Sequence, residues 1–111
     1  MPRLLAILAV VALATTAQAH QLNVFAFVED KTVVVETRFS NGNHPVSGTV
    51  RILNEKQETV LTLSLETDGT VRFPLDRDAA ASGLTIEVKT GEGHDDYWIL
   101  TPEDIARGSG D

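Results

Sequence analysis

Turn-forming residues break the chain at intervals of about 8–12 positions, and the segments between them alternate apolar and polar side chains. That period of two belongs to half-buried strands, and several short strands at this spacing predict a sandwich or barrel. Seven strands are legible. Leu22 to Glu29 sets Leu22, Val24, Ala26 and Val28 on one face and Phe25 and Phe27 on the other. Asp30-Lys31 turns the chain into Thr32 to Phe39, whose Val33-Val34-Val35 is the segment expected to be buried on both faces. Ser40 to Ser47, with Asn41-Gly42-Asn43-His44-Pro45 inside it, reads as a loop. Thr49 to Leu53 points Val50 and Ile52 inward, and a fourth strand carries Leu61, Leu63 and Leu65. Thr67-Asp68-Gly69 predicts a hairpin into Val71, Phe73 and Leu75. After a connection with a helical turn near Ala79-Ala80-Ala81, Leu84, Ile86 and Val88 alternate with Thr85, Glu87 and Lys89. Gly91-Glu92-Gly93-His94 leads to the last strand, Asp95 to Leu100, with Tyr97 and Trp98. Thr101-Pro102-Glu103 has the form of a helix start, so the tail is expected to hold one short helix.

Upstream of these strands the chain has a different character. Met1-Pro2-Arg3 is basic, Leu4 to Ala14 is an apolar run of 11 residues, and Ala17-Gln18-Ala19 is a small-x-small exit. Together these make a signal peptide, and the run falls short of the about 20 residues a membrane helix needs. The expected organisation is therefore a signal peptide over 1–19, a sandwich over 20–101 and a short tail over 102–111, exported to the periplasm and free of any membrane span once cleaved.

The full chain carries 9 Lys+Arg against 16 Asp+Glu, a formal charge of −7. Such a surface argues against nucleic acid as a partner and is compatible with cations. There are no cysteines, which removes disulfide scaffolds and thiolate metal sites. No Ser/His/Asp arrangement, Gly-rich phosphate loop or Cys nucleophile is legible, so the expectation is a protein that is not an enzyme.

If consecutive strands run antiparallel, the turns alternate between two poles. The start of the first strand, the second-to-third loop, the fourth-to-fifth turn and the sixth-to-seventh loop then share one pole. They carry His20, His44, Asp68 and His94, so every histidine of the chain falls at the same end.

His20 is distinctive because cleavage after Ala19 would free its α-amine beside its own imidazole. Amine nitrogen and Nδ1 can close a six-membered chelate on one metal ion. Their reference pKa values of about 7.7–8.0 and about 6.5 let a metal displace both protons near neutrality. With one imidazole from His94 the set becomes three nitrogens, which suits Ni²⁺ or Cu²⁺ in planar geometry. Against this, a first residue can bind nothing, and His94 in a glycine-rich turn can simply be solvated. His44 before Pro45 reads better as a turn residue, and Asp68, Asp95 and Asp96 as turn formers. Whether His44 or the Asp95/Asp96 pair joins a site is left open, Asp95 or Asp96 being able to orient an imidazole. Phe25, Phe27 and Trp98 read as core or sheet-covering residues.

At His20-Gln21-Leu22-Asn23-Val24-Phe25-Ala26 and at Gly91-Glu92-Gly93-His94 the chain resembles the extracytoplasmic accessory component of energy-coupling-factor transporters for nickel or cobalt. The resemblance implies an Ig-like sandwich similar to carboxypeptidase regulatory and transthyretin-like domains. It also implies delivery of Ni²⁺ or Co²⁺ to membrane transporter subunits, with His20 and His94 as the ligands. Glu92 departs from the apolar residue expected between the two glycines. Two alternatives stand beside this reading: an interaction module that binds protein and no metal, and a periplasmic copper protein with a brace at His20 and His94.

Overall fold

The computed structural model describes residues 21–91 and 93–108. The expected signal peptide, His20, Glu92 and residues 109–111 lie outside the described residues. The strands are β1 (Leu22–Glu29), β2 (Thr32–Phe39), β3 (Gly48–Leu53), β4 (Thr59–Ser64), β5 (Thr70–Pro74), β6 (Leu84–Thr90) and β7 (Asp95–Leu100), followed by helix α1 (Pro102–Gly108). They form two antiparallel sheets with orders β1-β2-β5 and β4-β3-β6-β7. The expected all-β, seven-stranded Ig-like sandwich is the fold observed, with the fourth strand paired to the third rather than added to the first sheet.

Alternation does most of the building. On β1 the burial pattern keeps Leu22, Val24, Ala26 and Val28 inside and Asn23 and Phe25 outside. Val33 and Val35 of β2, Val50 and Ile52 of β3, Val71 and Phe73 of β5 and Ile86 and Val88 of β6 close on them as one core. Each such side chain taken from water contributes about 1.5–3 kcal/mol. Val34 is also buried although it faces the other way, as expected for this segment. It lies in register between Phe27 and Arg72, whose side chains share its face of the sheet.

Two turns set the strand connections, one within a sheet and one between the sheets. Asp30 and Lys31 both take positive φ, 54° and 63°, the conformation of a two-residue hairpin between β1 and β2. Gly69, at φ 80°, turns the chain as the Asp-Gly pair requires. The hairpin expected there is corrected by the structure, because β4 and β5 separate into different sheets. The tip closes with Glu66 N–H donating to the Thr70 carbonyl at 2.8 Å. Beyond it Leu65 N–H is bonded back to Gly48 on β3, while the Gly69 carbonyl is held by Thr37 of β2, and these two anchors pull the arms apart.

The helix read from Thr101-Pro102-Glu103 is present. Thr101 Oγ1 accepts from Asp104 N–H and Asp104 Oδ2 accepts from Thr101 N–H, both at 3.1 Å, a reciprocal cap. Its buried residue, Ile105, joins the core, and α1 lies against β1 and β7.

Candidate metal pole

Four segments meet at the pole where β2, β4 and β6 end. Gln21, the first described residue, is tied to the second-to-third loop by a pair of bonds: its carbonyl accepts from Ser40 N–H at 2.8 Å and its N–H donates to Ser40 Oγ at 3.2 Å. In the same loop Phe39 N–H donates to the Asn43 carbonyl, so the chain doubles back immediately and carries His44 over the end of the sandwich.

The fourth-to-fifth turn lies directly beneath His44. A Cβ on Gly69 would come within 2.8 Å of His44 Cβ and 3.0 Å of Thr37 Oγ1, so only glycine fits. Thr37 is buried and donates its hydroxyl to the Gly69 carbonyl at 2.6 Å, the same oxygen that accepts its N–H at 3.0 Å. Asp68 is exposed, and its carboxyl is held below its ordinary value first by the Thr70 hydroxyl, then by the Thr70 N–H, with the His44 charge adding last.

The sixth-to-seventh loop completes the pole. The His94 carbonyl accepts from both N–H and Oγ1 of Thr90, at 2.8 and 3.1 Å, which fixes the backbone from which the imidazole projects. The ring lies edge-on to Phe39, centroids 5.4 Å apart and planes at 70°. Phe39 is the Cα partner of Leu22, so His94 packs on the residue that pairs with the start of β1. Phe39 also borders a shallow cleft with His44, Asn43 and Gly91.

The three predicted groups among the described residues, His44, Asp68 and His94, are thus at one end, as the alternation of turns requires. They do not converge on a point: among the described residues no three His, Asp or Glu side chains are grouped closely enough to hold a metal ion. His44 is exposed, with its Nδ1 3.4 Å from the Pro45 carbonyl. Asp95 is exposed on the strand opposite Lys89. Asp96 is engaged elsewhere, since its Oδ2 accepts from Val24 N–H at 3.3 Å across the β1/β7 seam. Phe39 is the residue that sequence reading missed as part of this pole. Its signal was its place at the last position of an inward-facing row, where a strand leaves the core.

On the flank of the same seam Phe25 meets Trp98 edge to face at 5.0 Å and Phe27 at 5.5 Å. Trp98 packs partly on the core, as a sheet-covering residue does, whereas Phe25 keeps 46% of its surface exposed. Tyr97 and Ile99 are exposed on the outer face of β7.

No family model matches the chain, and no curated protein does. Among solved structures it is similar to native alpha-2-macroglobulin from Escherichia coli, in a crystal structure spanning domains NIE-MG1. The likeness has a TM-score of 0.62 at 22% identity and covers 73% of this chain and 37% of that one. At that identity the match speaks for the sandwich fold.

Proposed function

We propose that the protein is a periplasmic carrier that captures Ni²⁺ or Co²⁺ and presents it to the membrane subunits of an energy-coupling-factor-type transporter. The ion is its cargo. In this reading the amine and imidazole of His20, freed by cleavage after Ala19, grip the ion together with the imidazole of His94. The observation that supports it is the meeting of both segments at Phe39. The residue next to His20 is bonded to Ser40, Leu22 pairs with Phe39, and the His94 ring rests on Phe39. The described residues hold no complete donor set of their own, so the N-terminal chelate is essential to the proposal.

Calorimetric titration of Ni²⁺, Co²⁺, Cu²⁺ and Zn²⁺ into protein beginning at His20, and into protein with one extra leading residue, tests it. The extension blocks the amine chelate, so affinity should fall by at least about tenfold, and His94→Ala should do the same. Binding should also weaken steeply below about pH 6, as protons compete for amine and imidazole. Equal affinity with and without the extra residue removes the mechanism. Redox cycling specific to the Cu²⁺ form would move the assignment to a copper brace at the same residues.

A second reading is an interaction module without metal, and the exposed Phe25, Tyr97 and Ile99 favour it. Failure of all four metals to bind, with retention of the protein by transporter membranes that Phe25→Ser abolishes, would establish it instead.

A further inference from the structure

A two-sheet sandwich has four edge strands, and here three of them are covered or partly bonded. β1 and β7 face each other across one seam, where the free N–H of Val24 is taken by Asp96 and α1 lies over the end of β1. On β5 the outward N–H of Thr70 is bonded to Asp68 Oδ1 and its carbonyl to Glu66 N–H. Pro74 has no N–H to offer, and Arg72 sets a charge on the remaining position.

β4 has none of these protections. Its residues Thr59–Ser64 include no charge and no proline. Leu65 N–H donates to the Gly48 carbonyl, and Leu63 and Leu61 follow in the same phase opposite Val50 and Ile52. The N–H and C=O of Thr62 and Ser64 therefore point away from β3. A register shift that leaves Val60 extra ends the regular edge on one side. The inward-facing Leu61 is 37% exposed and lines an opening of 150 Å³ that reaches Ile52, Phe73 and Leu84.

We infer that β4 is a self-association edge, which pairs antiparallel with β4 of a second copy about a two-fold axis, Thr62 of each chain facing Ser64 of the other. This register forms four backbone hydrogen bonds and leaves the bulged Val60 out of the ladder. It puts Leu63 on the axis and Leu61 beside the second copy's Leu65, which extends both cores over the exposed leucine. Sliding by two residues to centre Thr62 would set Glu58 opposite Glu66 of the second copy, a like-charge pair that disfavours it. In the chosen register Asp68 has already left the sheet, because Gly69 is bonded to Thr37 on the other one. The edge is short, so the dimer is a weak one, and the net negative charge of each copy makes it tighter as salt screens their repulsion.

Sedimentation equilibrium of the purified protein over a wide concentration range, at low and high salt with a chelator present, reads this out independently of any metal binding. The expected result is a monomer–dimer equilibrium that salt strengthens. Thr62→Lys and Ser64→Pro should each weaken it by at least about tenfold, while Asn23→Ala on β1, at the far seam, leaves it unchanged. Melting curves separate these effects from misfolding. Leu63→Cys, in a chain without other cysteines, should form a disulfide-linked dimer on oxidation faster than Asn23→Cys on β1. A monomer at every concentration, a dimer indifferent to both β4 substitutions, or equal crosslinking at Asn23→Cys would overturn the inference.

Discussion

At the scale of single residues, the pole is held by groups that are small or hydrogen-bonded rather than by a large core. Gly69 combines a positive φ with a position where a methyl group would press on His44 and Thr37. Gly69→Ala is therefore expected to cost about 1–3 kcal/mol and to disturb the loop that carries His44, measured by urea denaturation and by the His44 imidazole resonances. An unchanged midpoint would show that the turn relaxes freely. Among the described residues, two carboxyls are held below their ordinary value. Asp68 is held low by Thr70, and Asp104 by the Thr101 N–H first and then by the Thr101 hydroxyl and Arg107. Because folding depresses both, their stabilisation is complete above the ordinary carboxyl value of 3.8 and is lost as pH falls below it. Denaturation midpoints taken stepwise from pH 5 downward should decline, and Asp104→Asn should flatten that decline; equal slopes would refute the assignment. His44, Asp68 and His94 could be placed at one end from the sequence because strand parity is a counting rule. Their failure to converge could not be, since it depends on loop paths a few ångströms wide, such as the fold-back of Asn43 onto Phe39.

At the scale of elements, β1 and β7 fall where alternation puts them, because each has a more buried and a more exposed face, and β2 falls where expected with Val34 buried on its second face. β4 was the hardest strand to read correctly. Its leucines do share the inward face, but the strand is an edge, so Leu65 just beyond its end is buried, Leu63 half-buried and Leu61 exposed. The Asp-Gly turn was legible as a turn and not as a crossing between sheets, because that choice is made by partners far away in the chain, Gly48 and Thr37. Helix α1 illustrates the opposite case, a local signal strong enough to decide alone. Thr101→Ala removes the side-chain half of its cap and should cost about 1 kcal/mol, a fall of about 4–8 °C in Tm for a domain this size. Scanning calorimetry checks it, and a wild-type Tm would mean that packing of Ile105 alone holds the helix. Gly108, at the end of α1, sits so close to β1 that a Cβ would overlap the Val28 carbonyl, which makes the helix a lid on that strand.

For the whole molecule, the sandwich fold by itself is shared by domains of many activities, so the carrier proposal rests on the histidine pole and not on the fold. Seven crossings are an odd number, so the chain enters the sandwich at the histidine pole and leaves it at the opposite one, where α1 meets Val28. An eight-residue strand separates those poles by about 26 Å. On the carrier proposal, protein captured on a sensor chip through its last residues should take up Ni²⁺ as well as free protein, whereas capture through an N-terminal tag should weaken uptake by at least about tenfold. Equal uptake in the two orientations would place the ion elsewhere. The odd strand count thus makes the domain polar in the sense of a plug on a cord: whatever holds the tail turns the histidine pole outward, toward a neighbour and away from its own mooring.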